Sequence, residues 1–170
     1  MAARGAKDEN VYLNLAYFYR KNERFGALYN MLVRLQSPLS NEVDKHLILS
    51  RRLLAELICG TADLIHTDPM IFCISKGYLP IFPDGQLYEK DTLTTATVII
   101  LLDRLVEPVY PRNLFPMQHI STRSYLYLPY MRLVDLGILE FDPYIDPDQN
   151  ASVITAVRAL DKLSKRRCFD

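Results

Sequence analysis

Two stretches of the chain carry the same pattern, and this internal repeat constrains the fold more than any other feature. Residues 69–77 (PMIFCISKG) align with 129–137 (PYMRLVDLG), and 94–105 (TTATVIILLDRL) align with 152–163 (SVITAVRALDKL). A period of about 60 residues is typical of one supersecondary unit that occurs twice. The second helix of each copy has one apolar stripe, which must be buried against another unit. The predicted stripes are Val98, Leu101, Leu102 and Leu105, and Ala156, Ala159, Leu160 and Leu163.

Charge and composition exclude several classes of function. The 170 residues are 49% hydrophobic, which is enough for a core. Because 20 acidic residues balance 20 basic ones, bulk charge favours neither nucleic acid nor an anionic membrane. The apolar runs are far shorter than the roughly 18 residues that span a bilayer, and the basic N-terminal segment lacks the apolar stretch of a signal peptide. We expect either a cytoplasmic protein or one whose signal peptide has been removed.

Helical spacing of apolar residues runs through the chain and predicts an all-α fold of helix-loop-helix repeats. Residues 8–36 predict two helices joined near 21–26, and 41–58 predict another that ends at Gly60. Nine of the ten prolines fall between Pro69 and Pro147, which indicates short helices joined by shaped loops in that half. The helices expected there cover 69–76, 94–106, 123–136 and 152–166.

The same pattern divides the chain into three segments. Residues 1–63 form an N-terminal helical region, 64–107 hold the first clear repeat, and 108–170 hold the second with a basic tail. Each repeat is predicted to run helix, glycine, loop, helix. The N-terminal region is either a separate helical element or a divergent third copy.

At this point the residues resemble a known family. Residues 77–106 (GYLPIFPDGQLYEKDTLTTATVIILLDRLV) resemble an S-layer homology repeat, which reads helix, glycine, GYPDGTF-like loop, PLTRAE-like helix start, and an apolar helix ending in Arg-Leu. Residues 115–166 resemble a repeat with a degraded loop, and 37–42 (SPLSNE) resemble a third helix start. The matching residues of the first copy are Gly77, Tyr78, Phe82, Pro83, Asp84, Gly85, Leu87, Leu93, Thr94, Arg104 and Leu105.

The helix starts retain one part of the family motif and lose another. Hydroxyl residues suited to N-caps stand at Thr94, Ser152 and Ser40. The position that follows holds Thr95, Val153 and Asn41 instead of the family's arginine. The third position after the cap holds Thr97, Thr155 and Val43 instead of its glutamate. The resemblance implies that this arginine contacts acidic cell-wall polysaccharide, at a helix N-terminus that favours anions.

Two functions therefore stay open for an envelope protein. The resemblance implies a non-catalytic module that attaches without covalent bonds to cell-wall polysaccharide or peptidoglycan. The missing arginines favour protein–protein scaffolding with another envelope protein. Dense tyrosines, such as Tyr125, Tyr127 and Tyr130, suggest contact surfaces that would also suit an oligomer.

A cytoplasmic helical adaptor is the alternative. Residues 15–32 resemble a single tetratricopeptide unit, and 119–141 followed by 142–154 resemble a winged-helix recognition helix that runs into a β-wing. Only Arg123 and Arg132 are basic on that helix, which argues against DNA because lysine and arginine contacts to phosphate carry most DNA affinity.

Catalytic and metal-binding signatures are not evident in the sequence. Cys59 and Cys73 lie in apolar surroundings and are predicted to be small core residues. The neighbouring Asp63, His66 and Asp68 are interpreted as a solvated loop. We expect no enzyme activity, no metal and no cofactor.

A ligand site is predicted in the groove between the 82–88 loop and the start of the helix at 94. Phe82 and Tyr88 would form an aromatic platform, and Asp84 would accept hydrogen bonds from sugar hydroxyls. Thr94 and Thr95 would add hydroxyls beside the free backbone N–H groups of a helix N-terminus.

Overall fold

The fold is built from helices, which confirms the all-α prediction. The computed structural model describes residues 5–37, 39–61 and 68–166, with the backbone alone for 5–9. The helices in these ranges are α1 Gly5–Lys21, α2 Phe25–Val33, α3 Leu39–His46, α4 Arg51–Thr61, α5 Pro69–Ser75, α6 Thr95–Asp103, α7 Tyr127–Asp135 and α8 Val153–Ser164. None of the helices in the described ranges is both long and apolar enough to cross a membrane.

The predicted helix over 41–58 is wrong, because the structure has two helices there. Ser40 lies inside α3 and is buried, so it does not cap a helix as predicted. The break between α3 and α4 is set by tertiary pairing, since the Leu93 amide donates to the Leu49 carbonyl at 2.9 Å. Gly60 lies within α4 and does not end it.

The other helices follow the predictions with shifted ends. The two helices expected within 8–36 are α1 and α2, joined at 22–24. The helix expected from 123 begins only at Tyr127, because the residues before it form turns. Gly77 and Gly137 adopt φ values of +73° and +66° directly after α5 and α7, as the predicted glycine stops require.

Capping side chains explain where three of the helices begin. Asp68 accepts from the Met70 amide at α5, and Ser152 accepts from the Thr155 amide at 2.9 Å at α8. The Thr94 hydroxyl accepts from an amide in the first turn of α6. Each bond satisfies a donor that the helix leaves unpaired.

One hydrophobic core joins the three predicted segments. Helix α4 packs against α5, α6 against α7, and α2 against both α4 and α8. The predicted apolar stripes of α6 and α8 are buried throughout. The helices therefore bury their stripes against helices of other segments.

Three extended stretches meet in front of α4, α6 and α8. The Leu93 amide bonds to the carbonyl of Leu49, and the Ala151 amide bonds to the carbonyl of Leu93 at 2.9 Å. These residues immediately precede Ser50, Thr94 and Ser152, the last residues before the three helices. The three helix starts are thus tied to one another through the backbone.

Candidate functional site

The predicted site begins with a loop whose shape is fixed by local interactions. Proline presets φ at Pro83, and Gly85 adopts a φ of +74°, as the predicted turn requires. The Asp84 carboxylate accepts from the Gln86 amide at 2.9 Å, which closes the turn. The loop therefore presents Phe82, Asp84 and the residues that follow in a defined order.

Phe82, Asp84 and Tyr88 come together as the sequence predicted. The rings of Phe82 and Tyr88 meet edge to face with centroids 4.9 Å apart, and the Tyr88 hydroxyl donates to the Asp84 carboxylate. That hydrogen bond holds the pKa of Asp84 below its usual value and raises the pKa of Tyr88. Both rings remain accessible, at 37% for Phe82 and 43% for Tyr88.

Tyr88 also carries backbone strain. Its φ is +48°, in the left-handed region that bulky side chains rarely adopt. Such strain persists only where surrounding structure enforces it, and it concentrates at functional sites. The Tyr88 ring lies against Phe82 at an open cleft of about 400 Å³. The cleft is lined by Phe82, Pro83, Asp84, Tyr88 and Asp91.

Arg51 is a functional candidate that the sequence interpretation missed. Its guanidinium carbon lies 4.6 Å from the centroid of the Phe82 ring, and one of its nitrogens donates to the carbonyl of Pro80. The residue is only 4% exposed. Its Nε has no hydrogen-bond partner among the described residues, and no described carboxylate forms an ion pair with it. Burial lowers the pKa of Arg51, although nearby Asp91 opposes that shift.

A sequence signal for Arg51 was present. Ser50 stands directly before α4, and its hydroxyl accepts from the Leu53 amide at 3.1 Å. Leu49-Ser50 therefore corresponds to Leu93-Thr94, and Arg51 occupies the position that follows the cap. The sequence predicted the cap at Ser40, because Pro38 and Ser40 look like a helix start, whereas the capping hydroxyl in the structure belongs to Ser50 and the residue after it is an arginine.

The start of α6 does not offer the free donors that were predicted. The amide of Thr95 donates to the carbonyl of Gln149 at 2.9 Å, and the amide of Ala96 donates to that of Pro147 at the same distance. The hydroxyl of Thr95 also donates to Gln149, at 3.3 Å, while Thr94 caps the helix. These donors are already paired across the fold, so the N–H groups of Thr95 and Ala96 are not free as predicted.

Thr95 lines a second, larger cavity of about 670 Å³ instead of the cleft at Phe82. Its lining includes the apolar Ile99 and Leu102, the Tyr130 side chain, and Arg158 and Lys162 of α8. The structure thus unites three of the five predicted site residues and places Thr95 elsewhere. Thr94 lines neither cavity.

No group of three or more histidine, cysteine or acidic side chains within residues 5–37, 39–61 and 68–166 could hold a metal ion. Asp63 and His66 lie outside the described residues, and Asp68 caps α5.

Comparison with known proteins identifies no relative of this chain. No protein-family model, no curated protein and no solved structure matches the chain.

Proposed function

We propose that the chain is a non-catalytic module of the cell envelope, of the S-layer homology type, that attaches without covalent bonds to an anionic cell-wall glycan. The first support is the register of the helix starts. The Arg51 amide donates to the carbonyl of Asp91, three residues before Thr94, and the Thr95 amide donates to that of Gln149, three residues before Ser152. This matched pattern favours three units whose second helices are α4, α6 and α8.

Arg51 is the observation that carries the proposal. A buried cation without a carboxylate partner is expensive, and chains retain such groups mainly where function needs them. Arginine suits carboxylate and phosphate groups because its donors form a planar fork. An anionic group of a ligand would pair the guanidinium that the protein itself leaves incompletely paired.

The residues around Arg51 suit the remainder of a sugar. Phe82 covers one face of the guanidinium, so its ring must rotate outward before a ligand can reach the charge. The rings of Phe82 and Tyr88 can then pack against the apolar face of a pyranose. Asp84 and Asp91 are acceptors for sugar hydroxyls at the edge of the cleft.

Sedimentation with purified cell-wall material tests this proposal. The wild-type chain should pellet with walls that retain their polysaccharide and remain in solution with walls stripped of it. Arg51→Met conserves most of the side-chain volume, and replacing a buried charge by an apolar group is often neutral for stability. The lost charged hydrogen bonds, about 1.5–3 kcal/mol, should weaken retention about 10–100-fold.

Thr95→Val is the matched control, because Thr95 follows the cap of α6 as Arg51 follows that of α4. It should leave retention unchanged, and circular dichroism should show that both variants are folded. A wild-type chain that never pellets would refute wall attachment. A folded Arg51→Met variant that pellets like the wild type would refute the site.

A protein partner is the second candidate, favoured by an exposed apolar surface. Phe115 and Phe141 pack together with ring centroids 5.0 Å apart. The Tyr127 hydroxyl donates a hydrogen bond of 2.9 Å to the Phe115 carbonyl. Contiguous exposed apolar groups often mark interaction surfaces. Other exposed apolar residues close to these two phenylalanines in the sequence are Val109, Tyr110, Leu114 and Tyr144. Scaffolding would be supported if the chain ignored cell walls but bound envelope proteins, and if Tyr110→Asp abolished that binding.

A further inference from the structure

Two buried cysteines lie on the packed helices α4 and α5, and neither forms a disulfide. Cys59 on α4 and Cys73 on α5 are both completely buried, as the sequence predicted. The Cys73 sulfur lies 3.8 Å from the carbonyl oxygen of Ala55, one helical turn before Cys59 on the same face of α4.

We propose that Cys59 and Cys73 are a redox pair that forms a buried disulfide between α4 and α5 by exchange with a small-molecule disulfide. The two helices already pack against each other, so the bond would join elements that are neighbours in the reduced protein. The link would close a loop of about 15 residues, which includes the whole connection between the helices.

The exchange begins when one cysteine of the pair attacks the small disulfide as its thiolate. Its sulfur bonds to one sulfur of the small disulfide, and the other leaves as a thiolate.

The other cysteine then completes the exchange. Its sulfur attacks the protein sulfur of the mixed disulfide, that disulfide breaks, and the second small thiol leaves. The cysteine pair loses two electrons and two protons, and the small disulfide is reduced to two thiols. Since both sulfurs are buried, the reaction needs either local opening of the short α5 helix or oxidation before the core closes.

Refolding in a glutathione redox buffer tests the pair. All variants carry Cys168→Ser, so that the free thiols counted are those of Cys59 and Cys73. Cys168 lies outside the described residues. Free thiols are trapped with iodoacetamide in denaturant and the peptides are mapped by mass spectrometry. We expect an internal Cys59–Cys73 link, and a melting temperature about 6–12 °C above that of the reduced protein.

Cys59→Ala in the same background is the control, and it should show neither the link nor a response of its melting temperature to reductant. If that variant does not fold, the oxidised and reduced forms of the parent still give the comparison. Alkylation of both thiols after refolding would overturn the proposal. A stable glutathione adduct or an intermolecular link in place of the internal bond would overturn it as well.

Discussion

Gly60 is the position where a single methyl group should test the packing of α2 against α4. A Cβ atom there would lie 2.5 Å from the Phe25 carbonyl oxygen and 2.8 Å from the Tyr29 Cβ. Ordinary contacts begin near 3.4 Å. Neither atom can rotate away, because one belongs to the backbone and the other is attached to it, so the two helices must separate.

Two opposing effects decide whether Gly60→Ala raises or lowers the free energy of unfolding. Alanine stabilises a helix interior by about 0.5–1 kcal/mol relative to glycine. Overpacking a core costs about 1–3 kcal/mol, and rigid neighbours place this site in the upper part of that range. We therefore expect Gly60→Ala to lower the free energy of unfolding by about 1–2 kcal/mol and the melting temperature by about 2–8 °C.

Urea titration and thermal melting followed by circular dichroism measure both quantities. Thr155→Ala, at an exposed position in α8, is the control and should stay within about 0.5 kcal/mol of the wild type. If Gly60→Ala were as stable as the wild type or more so, α2 and α4 would not approach as closely as described, and the reasoning would fail.

Two further predictions concern the helix starts. Ser152→Ala removes the acceptor for the Thr155 amide and should cost about 1 kcal/mol in urea titration, whereas Ser152→Asp should restore most of it; equal stability of all three chains would contradict the cap. Burial opposes ionisation of Asp68, but hydrogen bonds from the Ile71 amide and Arg52 outweigh it and hold the pKa of Asp68 below its usual value. Because a depressed carboxyl pKa stabilises the fold above the unfolded pKa, this contribution is complete above about pH 5 and is lost as the pH falls through the depressed pKa. Asp68→Asn should therefore flatten the decline in melting temperature below about pH 5, and an unchanged decline would contradict the assignment.

Local sequence signals predicted the elements that local interactions determine. Thr94 and Ser152 cap α6 and α8 because a hydroxyl needs only an amide within the next turn. The apolar stripes of these helices are buried because their spacing matches a helical face. Gly77 and Gly137 end their helices because glycine readily adopts positive φ.

Features that depend on residues far apart in the sequence were not predicted. The stretch 47–50 has apolar residues suited to a helix, yet pairing with 92–93 holds it extended. The Ile154 amide, in the first turn of α8, donates to the carboxylate of Asp44 at 3.0 Å. The two residues are 110 positions apart in the sequence. The closed start of α6 has the same cause, since loop 147–149 supplies its acceptors. Such contacts follow from the assembly of the three segments and leave no local pattern.

Arg51 is the residue for which a purely structural role is hardest to justify. As a structural residue it contributes a hydrogen bond to the Pro80 carbonyl and a contact with Phe82. An apolar side chain could provide most of that packing without desolvating a charge, so stability alone gives little reason for an arginine here. By contrast, Thr95 and Val153 occupy the corresponding positions of α6 and α8 and carry no charge. Of these three positions, the arginine thus occurs at the one that contacts Phe82, a residue of the cleft that also contains Tyr88.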